Sequence, residues 1–379
     1  MSRAQVAIVI GTRPEVIKMA PIVHALRKSE TLAPYVISTG QHRQMLDQSL
    51  EVFGIRPDVD LEVMSPQQDL SELAARTLVR MRVELDRVTP SWMVVQGDTT
   101  TALAAALAGF YAHIPVAHVE AGLRSGQRYS PYPEEINRRI IDQVADVLFA
   151  PTSGAAARLF DEGFSPDHVW VTGNTVVDAL LAIREQLHAH PVAIPGLDST
   201  LVDGKRLVLT TAHRRESFGE PLIAMCEALR QLARDNPDVV IVYPVHLNPN
   251  VSLPVRSILA NQDRIVLLPP LDYLQFVSLL ERAYFVLTDS GGLQEEAPTF
   301  GKPVLVLRRV TERPEGIDAG VARLVGTAPQ DIIREATRLL RDPAAYRAMA
   351  AAVNPYGDGT AARQIVKHLE RRVGVANVA

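Results

Sequence analysis

The chain has 379 residues, enough for two domains of ordinary size, each with its own core. Hydrophobic residues make up 47% and charged residues 22%, a globular balance that excludes a fibrous or largely disordered chain. The net charge of −4 gives no reason to expect nucleic acid or a membrane as partner, and the one cysteine, Cys226, excludes a disulfide framework and a cysteine-built zinc site.

Short apolar runs alternate with helical patterns nearly from end to end. The start reads directly into a strand at residues 6–10, without signal-peptide layout, and no apolar run approaches a membrane span, so a reducing, cytoplasmic setting is expected. Gly11-Thr12-Arg13-Pro14-Glu15 follows that strand. Gly11 permits a sharp turn, Pro14 suits a first helical turn, and Arg13 and Lys18 either face a ligand or make a solvated helix start. The pattern is not Gly-x-Gly-x-x-Gly, which occurs nowhere in the chain and argues against a tightly bound nicotinamide cofactor.

Further strands are expected at residues 35–39, 92–96, 115–119, 147–150 and 168–172. Three carboxylates fall in the loops that follow them: Asp98 in Gln-Gly-Asp-Thr-Thr, Glu120 in His-Val-Glu-Ala-Gly-Leu-Arg, and Glu134 in Tyr-Pro-Glu-Glu-Ile-Asn-Arg. Polar groups at strand ends of α/β sheets are disproportionately functional. Asp98 has a second reading as the cap of a helix near Thr100, and Glu134 as a first-turn glutamate, with Glu135 beside it as rival. Arg138, one turn on, pairs with Glu134 or with a phosphate. His118 and Glu120 have i, i+2 spacing, but no third metal ligand is evident.

Residues 188–204 carry little periodicity and mark a domain junction; the alternation then starts again at 206–210, 239–243, 265–268, 285–288 and 303–307. Cys226 lies on the apolar face of an intervening helix, a core position. His213, in Thr-Ala-His-Arg-Arg-Glu, and His246, in Tyr-Pro-Val-His-Leu-Asn-Pro, hold matching places after two successive strands, and a nearby phosphate would help keep His213 protonated. The most telling stretch is Thr-Asp-Ser-Gly-Gly-Leu-Gln-Glu-Glu, residues 288–296. Ser290, Gly291 and Gly292 stand where backbone N–H groups point out of a helix start; that suits a diphosphate, although an ordinary strand-to-helix turn would look the same. Glu296 is one turn further, placed to accept from ribose hydroxyls, and Arg313 in Thr-Glu-Arg-Pro-Glu reaches towards the same diphosphate. A break at residues 354–359 precedes a last helix, near 360–372, able to cross back onto the first domain. The pattern is α/β: two doubly wound Rossmann-like domains facing a cleft.

Nine motifs occur in a fixed order, among them Gly-Thr-Arg-Pro-Glu, Gly-Asp-Thr-Thr, His-Val-Glu-Ala-Gly-Leu-Arg, His-Arg-Arg-Glu-Ser and Thr-Asp-Ser-Gly-Gly-x-Gln-Glu-Glu. Over roughly residues 5–360 the chain resembles the non-hydrolysing UDP-N-acetylglucosamine 2-epimerases. The resemblance implies the GT-B fold, with residues 1–173 as the first domain, 174–357 as a UDP-binding domain, and a helix at about 358–379 packed back on the first. It implies a homodimer joined through the first domain, interconverting UDP-GlcNAc and UDP-ManNAc with neither metal nor cofactor. Asp98, Glu120 and Glu134 match the catalytic carboxylates, while Arg13, Lys18, His213, Ser290, Gly291, Gly292, Glu296 and Arg313 match contacts to the nucleotide sugar. Phe276 matches a position in the uracil pocket, and Leu271 stands where some members carry Gln. Gln41, Gln44 and His246 fit an allosteric site of Gram-positive members, but the arginine of that site is missing near Gln67 and Gln68.

Overall fold

The computed structural model describes residues 3–40, 43–65 and 67–376. The chain divides into two compact units, Met1–Ala179 with Tyr356–Ala379, and Leu180–Pro355. The first strand series is a parallel sheet of β1 (Ala4–Ile10), β2 (Leu32–Ser38), β3 (Val59–Asp60), β4 (Trp92–Gln96), β5 (Val116–Val119), β6 (Val147–Ala150) and β7 (Val169–Val171). One helix follows each strand: α1 (Arg13–Lys28), α2 (Arg43–Val52), α3 (Leu70–Val88), α4 (Thr100–Tyr111), α5 (Glu134–Val144), α6 (Ser153–Asp161) and α7 (Thr175–Ala189). The first segment of that unit runs to Ala179, inside α7, where the sequence placed the boundary at residue 173.

Strand order is β3-β2-β1-β4-β5-β6-β7. It reverses direction at β1 and β4, so the loops after these two strands diverge and leave room for a ligand at their carboxyl ends. The residues there are Gly11 to Glu15 and Gly97 to Thr99. Local chemistry fixes the helix starts: Pro14 lies in the first turn of α1, and Thr99 caps α4 by accepting from the Ala102 amide. A core of Ala7, Val9, Met93 and Val95 packs on Leu73, Met81 and Leu85 of α3 and on Ala102 and Ala105 of α4.

The second unit contains α8 (Ser199–Val202), then β8 (Arg206–Thr211), α9 (Glu220–Asp235), β9 (Val239–Pro244), α10 (Pro249–Leu259), β10 (Ile265–Leu268), α11 (Tyr273–Arg282) and β11 (Phe285–Thr288). It continues with α12 (Gly291–Glu296), β12 (Val304–Val306), α13 (Pro314–Asp318), β13 (Ala322–Leu324), α14 (Pro329–Arg341) and α15 (Pro343–Ala350). The strands, all parallel, lie in the order β10-β9-β8-β11-β12-β13, with the reversal between β8 and β11. Period-two alternation splits them between two cores. Val208, Ile241, Tyr243, Phe285 and Leu305 meet α9, α10 and α14, whereas Leu209, Val240, Val242, Val286 and Val304 meet Leu279 and Leu280 of α11. Cys226 is buried in the first of these, and burial pushes its thiol up to about 12, which suits packing rather than chemistry. The last helix, α16 (Ala361–Ala376), returns to the first unit, where Ser29 at the end of α1 donates to Glu370 at 2.6 Å.

Candidate active site

In the first unit, the carboxylates named from the sequence sit at the carboxyl ends of β4 and β5 and at the start of α5. Glu120 follows β5 with φ +71°, a left-handed conformation that a residue with a side chain adopts at a cost. Its buried carboxylate receives Lys18 Nζ at 2.5 and 2.7 Å, the Gln96 amide, and Asn174 Nδ2 at 3.5 Å. Lys18 therefore serves as counter-ion to Glu120 in this structure. Asp98 pairs with Arg138, and its backbone carbonyl accepts from Asn137 Nδ2 at 2.9 Å. The cap of α4 is Thr99, so the helix-cap reading of Asp98 is set aside.

Glu134 opens α5, and one of its carboxylate oxygens is buried without a hydrogen-bond partner. Glu135 beside it is spent on structure: it accepts from the Ser125 amide at 2.9 Å and the Gly126 amide at 3.3 Å. Arg138 pairs with Asp98 and with Glu135, its i, i+3 neighbour, rather than with Glu134, one of the two partners considered from the sequence. Arg13 occupies the first position of α1, half-buried.

Glu15 was given no role from the sequence, yet it ties two of these loops together. It accepts from the Gly11 and Thr12 amides at 2.6 and 2.8 Å and from Thr99 Oγ1 at 2.7 Å. Burial raises its pKa against the pull of those donors. A Glu at the third helical position, with a Thr cap before it, is a capping-box signal that could have been read.

In the second unit, Asp289 has the corresponding role between β8 and β11. Fully buried, it accepts from the His213 and Arg214 amides at 2.8 and 2.9 Å and from Ser217 Oγ at 3.2 Å. His213 Nδ1 is 3.8 Å from its other oxygen, and the His213 ring stacks on His246, centroids 5.4 Å apart. Burial lowers the His213 pKa, and His246 and Arg214 add to that against Asp289. The expected protonated His213 is therefore not favoured by the protein's own groups.

Ser290 precedes α12, and the guanidinium of Arg313 lies close over Gly291, 2.8 Å from where a Cβ would stand, so a side chain there would displace the arginine. Arg313 is anchored by Glu295 at 2.6 Å and by Glu312 at 3.1 Å; Glu312 also takes Arg214 at 2.9 Å and Arg308 at 2.6 Å. Burial alone would raise the Glu312 pKa, but Arg313, Arg214 and Arg308 hold it at about 2. Its negative charge gathers three guanidiniums, two of which, Arg313 and Arg214, lie beside Gly291. Glu296 folds back over Gly292, whose ideal Cβ would lie 3.4 Å from Glu296 Oε1. Phe276 and Leu271 are each partly buried against the core that Leu279 and Leu280 share with the sheet.

The structure thus brings Lys18 to Glu120, Arg138 to Asp98, His246 to His213, and Arg313 to Gly291. Gln41 and the side chain of Gln44 lie outside the described residues. No cluster of His, Cys, Asp and Glu with metal-site geometry occurs among the described residues, and none of the described helices is long and apolar enough to cross a membrane.

A family model described as UDP-N-acetylglucosamine 2-epimerase matches residues 24–370. The UDP-N-acetylglucosamine 2-epimerase of Yersinia pestis is 50% identical over 369 residues, which cover 97% of this chain and 98% of that protein. Its Escherichia coli K12 counterpart is 49% identical over the same length and the same shares. The crystal structure of UDP-GlcNAc 2-epimerase from Neisseria meningitidis bound to UDP-GlcNAc superposes with a TM-score of 0.88 at 44% identity, covering 97% of this chain and 100% of that one. Two parallel sheets with this likeness bear out the GT-B type of fold expected from the sequence.

Proposed function

The chain belongs to the UDP-N-acetylglucosamine 2-epimerase family, and from that premise we propose that it inverts carbon 2 of UDP-GlcNAc by eliminating UDP and adding it back. The hydrogen on carbon 2 is not acidic while carbon 1 carries only single bonds to oxygen. Loss of UDP changes that. A carboxylate takes the proton, the C–H electron pair becomes the C1=C2 double bond, and the C1–O bond breaks with its pair leaving on UDP. The neutral intermediate is 2-acetamidoglucal. Protonation of carbon 2 on the opposite face, with attack of a UDP oxygen on carbon 1, gives UDP-ManNAc.

One base and one acid on opposite faces are required, with cations to hold the departing diphosphate. The first unit supports the former with Asp98, Glu120 and Glu134. The second supports the latter with Arg313, His213, and the Ser290, Gly291 and Gly292 backbone; Glu296 suits the ribose, and Phe276 and Leu271 the uracil. Arg13 and Lys18 complete the contacts in this reading. The observation that carries it is Glu134: a carboxylate oxygen buried without a partner at a helix start is costly unless a ligand group comes to it. His246, stacked on His213, is a route by which a second nucleotide sugar would influence the first.

The test is incubation with UDP-GlcNAc in D₂O without acceptor, followed by proton NMR. Deuterium at carbon 2 of both epimers is expected, since the reprotonating acid exchanges with solvent. Epimerisation without deuterium uptake would exclude the elimination scheme; sugar transfer only once an acceptor is added would make the chain a glycosyltransferase. A polysaccharide pathway would consume the product, and a homodimer through the first unit is the assembly we propose.

A further inference from the structure

His118 is a buried, doubly hydrogen-bonded residue that the reaction scheme leaves unused. It lies on β5, two residues before Glu120, and is fully buried, as is Asp142 on α5. Its Nε2 is 2.8 Å from the carbonyl oxygen of Gly97, which can only accept, so Nε2 carries a proton and donates it. Its Nδ1 is 2.6 Å from Asp142 Oδ1, and a proton lies there too, because two bare acceptors at that distance would repel. The other Asp142 oxygen is held by Arg124 at 2.7 Å and by the Gly122 amide at 3.4 Å. Asp142 therefore cannot turn away from the ring.

The Gly97 carbonyl belongs to the turn that presents Asp98. Gly97 has φ +73°, its amide donates to Val119 O at 3.1 Å, and the next carbonyl, that of Asp98, is taken by Asn137. A single ring thus joins the Asp98 turn, the strand that leads into Glu120, and the helix that begins with Glu134. We propose that His118 is the positioning residue of this site, holding the Asp98 turn through the Gly97 carbonyl and setting its register against α5 through Asp142. The inference rests on the reading of Asp98 as a reacting group.

Two amide substitutions separate the bonds. His118→Gln keeps a donor where Nε2 faces Gly97, whereas His118→Asn keeps one only where Nδ1 faces Asp142. Expected for His118→Asn is a loss in kcat of about 10²-fold, the usual penalty for a misplacement near 1 Å, with roughly ten-fold or less for His118→Gln. KM for UDP-GlcNAc and the affinity for UDP, measured by calorimetry, are expected to hold in both. A wild-type kcat in His118→Asn overturns the inference, as does a parallel loss of kcat and UDP affinity in both variants. Should His118→Asn fail to fold, Asp142→Asn tests the other bond, the one that sets the register against α5: there too kcat is expected to fall while UDP affinity holds, and a wild-type kcat overturns that part of the inference. Asp98→Asn runs beside them. If it keeps full activity, the reading of Asp98 fails; if it loses activity while His118→Asn does not, only the role of His118 fails.

Discussion

Single side chains carry the sharpest expectations. Glu134 keeps a carboxylate oxygen buried and unpartnered, an arrangement that costs about 1–3 kcal/mol when a charge-bearing or polar atom is left so. Glu134→Gln is therefore expected to lower kcat by about 10²–10⁴ if the group handles a proton. It is also expected to leave the melting temperature unchanged or raised; a destabilised but fully active variant would mark Glu134 as structural. Asp98→Asn is expected to lose rate on the same scale, because Thr99 and not Asp98 caps the following helix. Turnover near wild type would contradict that. Asp98 and Glu120 stood out in the sequence because they come at the ends of the apolar strands β4 and β5, whereas Glu134, which opens α5, stood out only through its motif. Their partners did not. Lys18 meets Glu120 across 102 positions, and Asp289 meets the His213 amide across 76, separations that no local pattern encodes. Glu135 and Glu134 are chemically alike, and only the loop that folds over Glu135 tells them apart.

Elements were more readable than contacts, since period-two apolar runs place strands and Gly, Pro and Thr punctuate them. Two strands escaped: β3 and β13, of two and three residues at sheet edges, are too short to show a period. The closing helix was expected, and its packing brings a pH dependence that the sequence did not show. His368 of α16 lies against Trp170 of β7, centroids 4.4 Å apart, and edge-on to Phe149 of β6. Its Nε2 is buried without a partner, and burial, with Arg372 and Arg371 nearby, lowers its pKa to about 4. A depressed imidazole pKa means that the folded state binds fewer protons than the unfolded one. The docking of α16 is thus fully stabilised above pH 6.5, the ordinary imidazole value, and loses stability as pH falls from there towards 4. His368→Phe, which keeps an aromatic ring in the site, is expected to flatten the fall in melting temperature between pH 7 and pH 5. A wild-type-minus-variant difference that stays constant over that range would show that the ring does not titrate with folding.

Assembly belongs to the molecule as a whole, and here the surface of the first unit adds an argument of its own to the resemblance. Val79 and Val83, one turn apart on α3, are 63% and 67% exposed, on a helix whose opposite face supplies Leu73, Met81 and Leu85 to the core. At the end of α4, Phe110 and Tyr111 are exposed as well, and Arg82 Nη1 donates to the Tyr111 carbonyl at 3.1 Å, which brings the two helices' apolar tips together. The Arg82–Asp86 ion pair lies beside them, exposed on both sides, as a polar rim would. Exposed apolar residues that stand singly on a surface are ordinary and need no explanation. Two copies pairing through α3 and α4 would cover four large apolar side chains on each. Light scattering is expected to report about twice the 41.5 kDa chain mass. In the double variant Val79→Glu, Val83→Glu, two carboxylates would face the partner's apolar surface, so the expected product is a folded monomer. Because both positions point to solvent in the single chain, each change is expected to cost that chain no more than about 0.5 kcal/mol. A wild-type mass near one chain would remove the dimer altogether. A variant that remains a dimer would move its interface off these helices, most directly to the exposed Tyr129 and Tyr132 of the loop before α5.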